Sequence, residues 1–140
     1  MTEEKKRGLC RVATDAMRYA YVPYSGYSVG AALLTEDGTV YTGCNIENAS
    51  YTPTVCAERT AVFKAVSEGK RTFAAIAVAG GREGAVDGSS LPCGVCRQVL
   101  SEFCPPDFSV LIVEKEGKYR EYRLDELLPH AFDLCNLHKK

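Results

Sequence analysis

The 140-residue chain has no long apolar run and almost no charge imbalance, with 17 Lys and Arg against 18 Asp and Glu. The first lack removes any stretch long enough to span a membrane. The charged opening Met1-Thr2-Glu3-Glu4-Lys5-Lys6-Arg7 is not followed by the apolar core of a secretion signal, so a cytoplasmic protein without a membrane partner is expected. The second lack bears on nucleic acids. Basic residues are scattered, with short clusters at Lys5-Lys6-Arg7 and Lys139-Lys140, so no phosphate-tracking surface and no nucleic-acid partner is expected. Gly80-Gly81-Arg82-Glu83-Gly84 lacks the closing Gly-Lys-Ser/Thr of a phosphate loop. No internal repeat, linker or second core is visible, and this length suits one domain over residues 1–140. Histidine is scarce too: His130 and His138 lack ligand spacing to the cysteines and are excluded from a metal site.

Cysteine, by contrast, is plentiful. Seven cysteines, an odd number without an export signal, argue against a disulfide framework and for metal or reactive thiols. Cys10, Cys44, Cys104 and Cys135 read as small buried apolar side chains. The other three differ. The extended run Pro53-Thr54-Val55 gives way to a helix opening at Cys56-Ala57-Glu58-Arg59, and Pro92-Cys93-Gly94-Val95-Cys96-Arg97 opens another. No fourth Cys or His is spelled nearby. A structural zinc site closes its tetrahedron with four protein ligands, whereas three ligands leave a position for water, so a catalytic zinc is the better reading. Helix N-termini also stabilise the thiolate form that binds metal.

Periodicity orders the rest. Leu9, Val12, Ala13, Ala16, Met17 and Ala20 fall at helical spacing, stopped by Val22-Pro23. Tyr27, Val29, Ala31 and Leu33 alternate as a strand, Glu36-Asp37-Gly38 turns, and 40–44 returns as its hairpin partner. A helix is expected over about 57–68, stopped by Gly69, then a buried strand over 73–79 and a glycine-rich loop over 80–90. A helix over 94–103 should present Val95, Val99, Leu100 and Phe103 on one side, before strands at 110–113 and 119–123 and short helical pieces beyond. The order α-β-β-α-β-α-β-β implies an α/β protein with helices on both faces of a sheet. Its pocket would lie where strands hand over to helices.

Four segments together make the chain resemble the cytidine deaminase family, in its small tetrameric form that acts on free nucleosides: Cys44-Asn45-Ile46-Glu47-Asn48, Cys56-Ala57-Glu58-Arg59-Thr60-Ala61, Pro92-Cys93-Gly94-Val95-Cys96-Arg97-Gln98 and Glu126-Leu127-Leu128-Pro129. The resemblance implies a three-layer α/β/α sandwich with a mixed five-stranded sheet. It implies one Zn2+ per subunit on Cys56, Cys93 and Cys96, and hydrolysis of cytidine and deoxycytidine to uridine and deoxyuridine in pyrimidine salvage. Glu58 is then the proton carrier, taking a proton from zinc-activated water, delivering it to ring N3, and passing the second to the departing ammonia. Arg59, one helical turn after Cys56, would donate to ligand sulfur and offset the charge of three thiolates.

Asn45 and Glu47 alternate at a strand end and match, by resemblance, a ribose hydroxyl pair, with Ile46, Asn48, Ala49, Ser50 and Tyr51 walling the pocket and Ala57 beside it. Without the resemblance they read as an Asx turn and an exposed carboxylate. Tyr27 stands where related enzymes commonly carry a phenylalanine beside the base, so its hydroxyl needs a partner; a core strand tyrosine is the other reading. Phe132 matches a late aromatic that reaches a neighbouring subunit's pocket, or else anchors the core. The alternatives are a deaminase of a cytosine-containing antibiotic or of RNA, and a structural zinc module or Cys-x-x-Cys redox protein. The first pair is disfavoured by Asn45 with Glu47 and by the missing basic groove. Of the second pair, a structural zinc wants a fourth ligand and a redox protein gives Cys56 and Glu58 no task.

Overall fold

A five-stranded sheet in the order β2-β1-β3-β4-β5 carries the molecule, and the computed structural model describes residues 1–133. Its strands are β1 (Tyr27–Thr35), β2 (Val40–Cys44), β3 (Phe73–Arg82), β4 (Ser109–Val113) and β5 (Tyr119–Arg123). β1 pairs antiparallel with both β2 and β3, β3 pairs parallel with β4, and β5 closes the edge antiparallel to β4. The sheet is therefore mixed, as the resemblance implies, and β2, β3 and β4 point the same way.

Helices cover both faces. Helix α1 (Glu3–Ala16) lies on one, packing Leu9, Cys10 and Ala13 against Ala32, Ala75, Ala77 and Leu111. Helices α2 (Ala57–Ser67) and α3 (Gly94–Phe103), with the short α4 (Leu124–Leu127), lie on the other over Leu33, Ile76, Val78, Val110 and Ile112. Burial on both faces makes β1, β3 and β4 nearly continuous apolar runs. Each large side chain so buried contributes about 1.5–3 kcal/mol.

Helix α2 packs close against β2. Its core face is Ala57, Ala61 and Ala65, all fully buried. A Cβ on Gly43 of β2 would stand 2.2 Å from the Ala57 carbonyl oxygen, so glycine there and alanine opposite let backbone meet backbone. The C-terminal end of α2 is stopped by Gly69 at φ 90°, whose N–H donates to the Val66 carbonyl while Lys70 N–H donates to that of Ala65.

Four departures from the sequence reading have physical reasons. The first helix ends at Ala16 and tightens into a 3₁₀ turn over Met17–Tyr19, so Ala20 lies beyond it although Met17 is buried. β3 runs three residues further, to Arg82, because Gly80, Gly81 and Arg82 still pair with Val29, Ser28 and Tyr27. Val95 is exposed rather than beside Leu100 in the core. Cys10 is buried, but Cys44 and Cys104 are half-buried, while Cys135 and His138 lie outside the described residues.

Candidate active site

The carboxyl ends of β2 and β3 each lead into a helix N-terminus, and the cysteines sit at those two starts. Cys56 is the N-cap of α2 and Cys93 the N-cap of α3, both extended and neither using its side chain to cap the helix; Cys96 follows within the first turn of α3. The thiols therefore stay free to converge beside unpaired helix N–H groups. Cys56 Sγ lies 3.6 Å from Cys93 Sγ, and the three sulfurs lie within 4.8 Å of one another. This is the one such cluster of Cys, His, Asp and Glu among the described residues, and the exposed His130 is not in it.

Arg59 Nη2 donates to Cys56 Sγ at 3.4 Å, while its Nε is buried without a partner. The Cys56 thiol is pulled down to about 5, first by its hydrogen bond with Cys96 and then by Arg59 and Cys93. The bond with Cys56 and burial push Cys96 up. Three convergent thiols, an arginine on one of them and, among the described residues, no fourth protein ligand fit a zinc with one open position.

Glu58 stands apart from that cluster. It is 4% exposed, and burial pushes its carboxyl up to about 7, with the Cys56 negative charge adding to the effect. A carboxyl near neutrality can both take and give a proton. Glu58, Cys56, Cys93 and Ala57 share a cavity of about 300 Å³ with Tyr27, Asn45 and Glu47.

The polar groups of that cavity are tied to backbone. Asn45 Oδ1 accepts from Val29 N–H and its Nδ2 donates to the Tyr27 carbonyl, both at 2.9 Å. Glu47 accepts from the N–H groups of Tyr24 and Ser25 at 3.0 and 3.1 Å, and from the Ser25 hydroxyl. Neither side chain forms the expected turn or dangles in solvent. The Tyr27 hydroxyl finds its partners in Ser89 and Asp87.

Other residues fall elsewhere. Asn48 and Tyr51 line an adjoining hollow of about 270 Å³ that shares Glu47 and Thr54 with the main cavity. Ile46, Ala49 and Ser50 are exposed and line neither hollow, and Ile46 bridges Tyr21 and Val55. Phe132 is 59% exposed; its carbonyl accepts from Gln98. Sequence reasoning missed Thr54, Ser89, Ser90 and Leu91, which line the main cavity. Their one signal was adjacency to the Val55-Cys56 and Pro92-Cys93 steps. Arg97 was also missed: it donates to the Pro92 and Leu127 carbonyls, both at 2.6 Å, tying the start of α3 to the Leu127-Leu128-Pro129 segment.

Comparison with known proteins agrees with this geometry. The family described as cytidine and deoxycytidylate deaminase zinc-binding region matches residues 3–112. The chain is 55% identical over 117 residues to a cytidine deaminase of Sporosarcina psychrophila, covering 84% of this chain and 83% of that one. It is 52% identical over 124 residues to a cytidine deaminase of Halalkalibacterium halodurans, covering 89% and 91%. The crystal structure of cytidine deaminase from Burkholderia pseudomallei superposes with a TM-score of 0.83 at 46% identity, covering 94% of this chain and all of that one.

Proposed function

The chain belongs to the cytidine and deoxycytidylate deaminase family, and from that premise we propose that it hydrolyses cytidine and deoxycytidine to uridine and deoxyuridine, with release of ammonia, in pyrimidine salvage. It is a zinc-dependent cytidine deaminase whose metal is held by Cys56, Cys93 and Cys96. Bound zinc supplies Lewis acidity that makes water a nucleophile near neutral pH. Everything else is the chain's own work.

Glu58 takes a proton from the attacking water and places it on ring N3 of the pyrimidine. It then passes the second proton to the exocyclic nitrogen, which leaves C4 as ammonia. Its burial supports this role, since bulk solvent is kept from the carboxyl that carries the proton. Arg59 holds the Cys56 sulfur and offsets the negative charge of the thiolates. Asn45 and Glu47 meet the ribose hydroxyls, held in place by the backbone bonds that already occupy part of each side chain. Tyr27 and Ala57 flank the base.

The chain works as one domain over residues 1–140 with one zinc per subunit, in a homotetramer. Phe63 on α2 at 50% exposure, Val95 on α3 at 57% and Phe132 at 59% support the assembly, because apolar groups so placed are covered by association. Phe132 would then complete a neighbour's pocket. No helix of the described residues is long and apolar enough to cross a membrane.

The observation that carries the reading is Glu58, buried in the cavity that Cys56 and Cys93 line yet outside the cluster of three thiols. The test follows the ultraviolet change from cytidine to uridine for wild type and Glu58→Gln. The variant should lose about 10²–10⁴-fold in kcat with zinc content unchanged. A variant that kept most of its activity would refute the proton-carrier role, and wild type inert toward cytidine would refute the substrate.

A further inference from the structure

Between β3 and α3, residues 83–91 form a loop whose last three residues, Ser89, Ser90 and Leu91, make one wall of the cavity before the chain runs through Pro92 into Cys93. Most of this loop is exposed, and what holds it is polar. Asp87 N–H donates to the Gly80 carbonyl at 3.0 Å, and Ala85 N–H to that of Arg82 at 2.9 Å. Gly81 permits the fold-back, since a Cβ there would stand 1.6 Å from the Ala85 carbonyl oxygen. On the far side Arg120 Nη2 donates to the Gly88 carbonyl at 3.0 Å.

On the cavity side the hold comes from Tyr27, the first residue of β1. Its hydroxyl lies 2.8 Å from Ser89 Oγ and 3.1 Å from Asp87 Oδ1. Ser89 donates to the same carboxylate oxygen from both its hydroxyl, at 2.6 Å, and its N–H, at 2.9 Å. With the Ser89 proton committed to Asp87, the phenol proton serves Ser89 or Asp87, and the three groups form a relay in which each bond polarises the next. The ring is locked as well. A Cβ on Gly80 would stand 3.1 Å from Tyr27 Cε1 and 2.8 Å from Ser90 Cβ, so ring, strand and wall meet over a glycine.

We propose that Tyr27 is a positioning residue whose hydroxyl, through Ser89 and Asp87, fixes the wall formed by Ser89, Ser90 and Leu91 and thereby sets how well a pyrimidine nucleoside fits beside Glu58. This rests on the nucleoside deaminase reading above. A phenylalanine ring at this position fills the same space without reaching Asp87 or Ser89, so the contribution of the oxygen is separable from that of the ring.

The test compares zinc-loaded wild type, Tyr27→Phe, Ser89→Ala and the double variant by steady-state cytidine deamination and by amide hydrogen exchange. In each single variant KM should rise about 3- to 10-fold with kcat within about twofold, because hydrogen bonding is lost from the wall and none from the reacting atoms. The double variant should be no worse than the weaker single, as expected for one shared path. Exchange over residues 83–90 should accelerate in every variant, with zinc content unchanged. An unchanged KM, a fall in kcat with KM intact, multiplicative single effects, or wild-type protection over 83–90 would each overturn the proposal. Wild type inert toward cytidine would sink the deaminase reading instead, and exchange over 83–90 would then decide the hold by itself.

Discussion

The cavity has two sides built by different means. On one, Cys56, Cys93 and Cys96 ride on the first turns of α2 and α3, helices seated on the core through Ala57, Ala61, Ala65 and Leu100. Position there follows from helix geometry and apolar packing, which no single polar contact controls. On the other, Tyr27, Asn45, Glu47 and Ser89 are fixed by side-chain bonds to partners distant in sequence: Asn45 to Val29, Glu47 to Ser25, Tyr27 to Asp87. The metal side is thus set by the cooperative fold, and the substrate side by hydrogen bonds that can be removed singly. Chemistry should fail abruptly when the first is changed and fit should degrade gradually when the second is.

The largest break of this contrast is Cys93→Ala. Cys93 is exposed, so the variant should keep its fold by circular dichroism yet lose zinc by elemental analysis and all turnover above background. Next comes Arg59→Gln, which removes the donor on Cys56 Sγ; zinc affinity, measured by competition with a chelator, should fall about 10- to 100-fold. Asn45→Ala probes the other side. It strips partners from the Val29 N–H and the Tyr27 carbonyl, and the unfolding free energy from urea titration should drop by about 1–3 kcal/mol while zinc stays bound. The smallest effect on stability belongs to Phe132→Ala, within about 0.5 kcal/mol for so exposed a side chain. If Phe132 completes a neighbour's pocket, cytidine turnover should still decline in that variant; unaltered turnover would leave it a surface residue.

The two sides also differ in how far they could be read from the letters. The helix starts at Cys56 and Cys93, the Gly69 stop and the Glu36-Asp37-Gly38 turn are local signals, and each lies where the residues put it. Val95 misled because helical spacing cannot tell a core face from one left open, and α3 turns that residue outward. Gly80 and Gly81 read as loop but belong to β3, since pairing with Val29 and Ser28 is a property of the partner strand, not of glycine. Nothing in the letters of Ser89 and Asp87 pointed to their bonds with Tyr27. Their meaning depends on a tyrosine some sixty residues earlier.

By itself the sequence determined the element order, the thiol trio with its neighbouring acid, and so the class of chemistry, because periodicity, capping and ligand spacing act within a helical turn or two. The tertiary structure alone decided that Asn45 and Glu47 are braced against backbone, and that Tyr27 meets Ser89 and Asp87. Those contacts join segments brought together only when both faces of the sheet are buried, and no local pattern encodes which distant donor a buried polar atom will find.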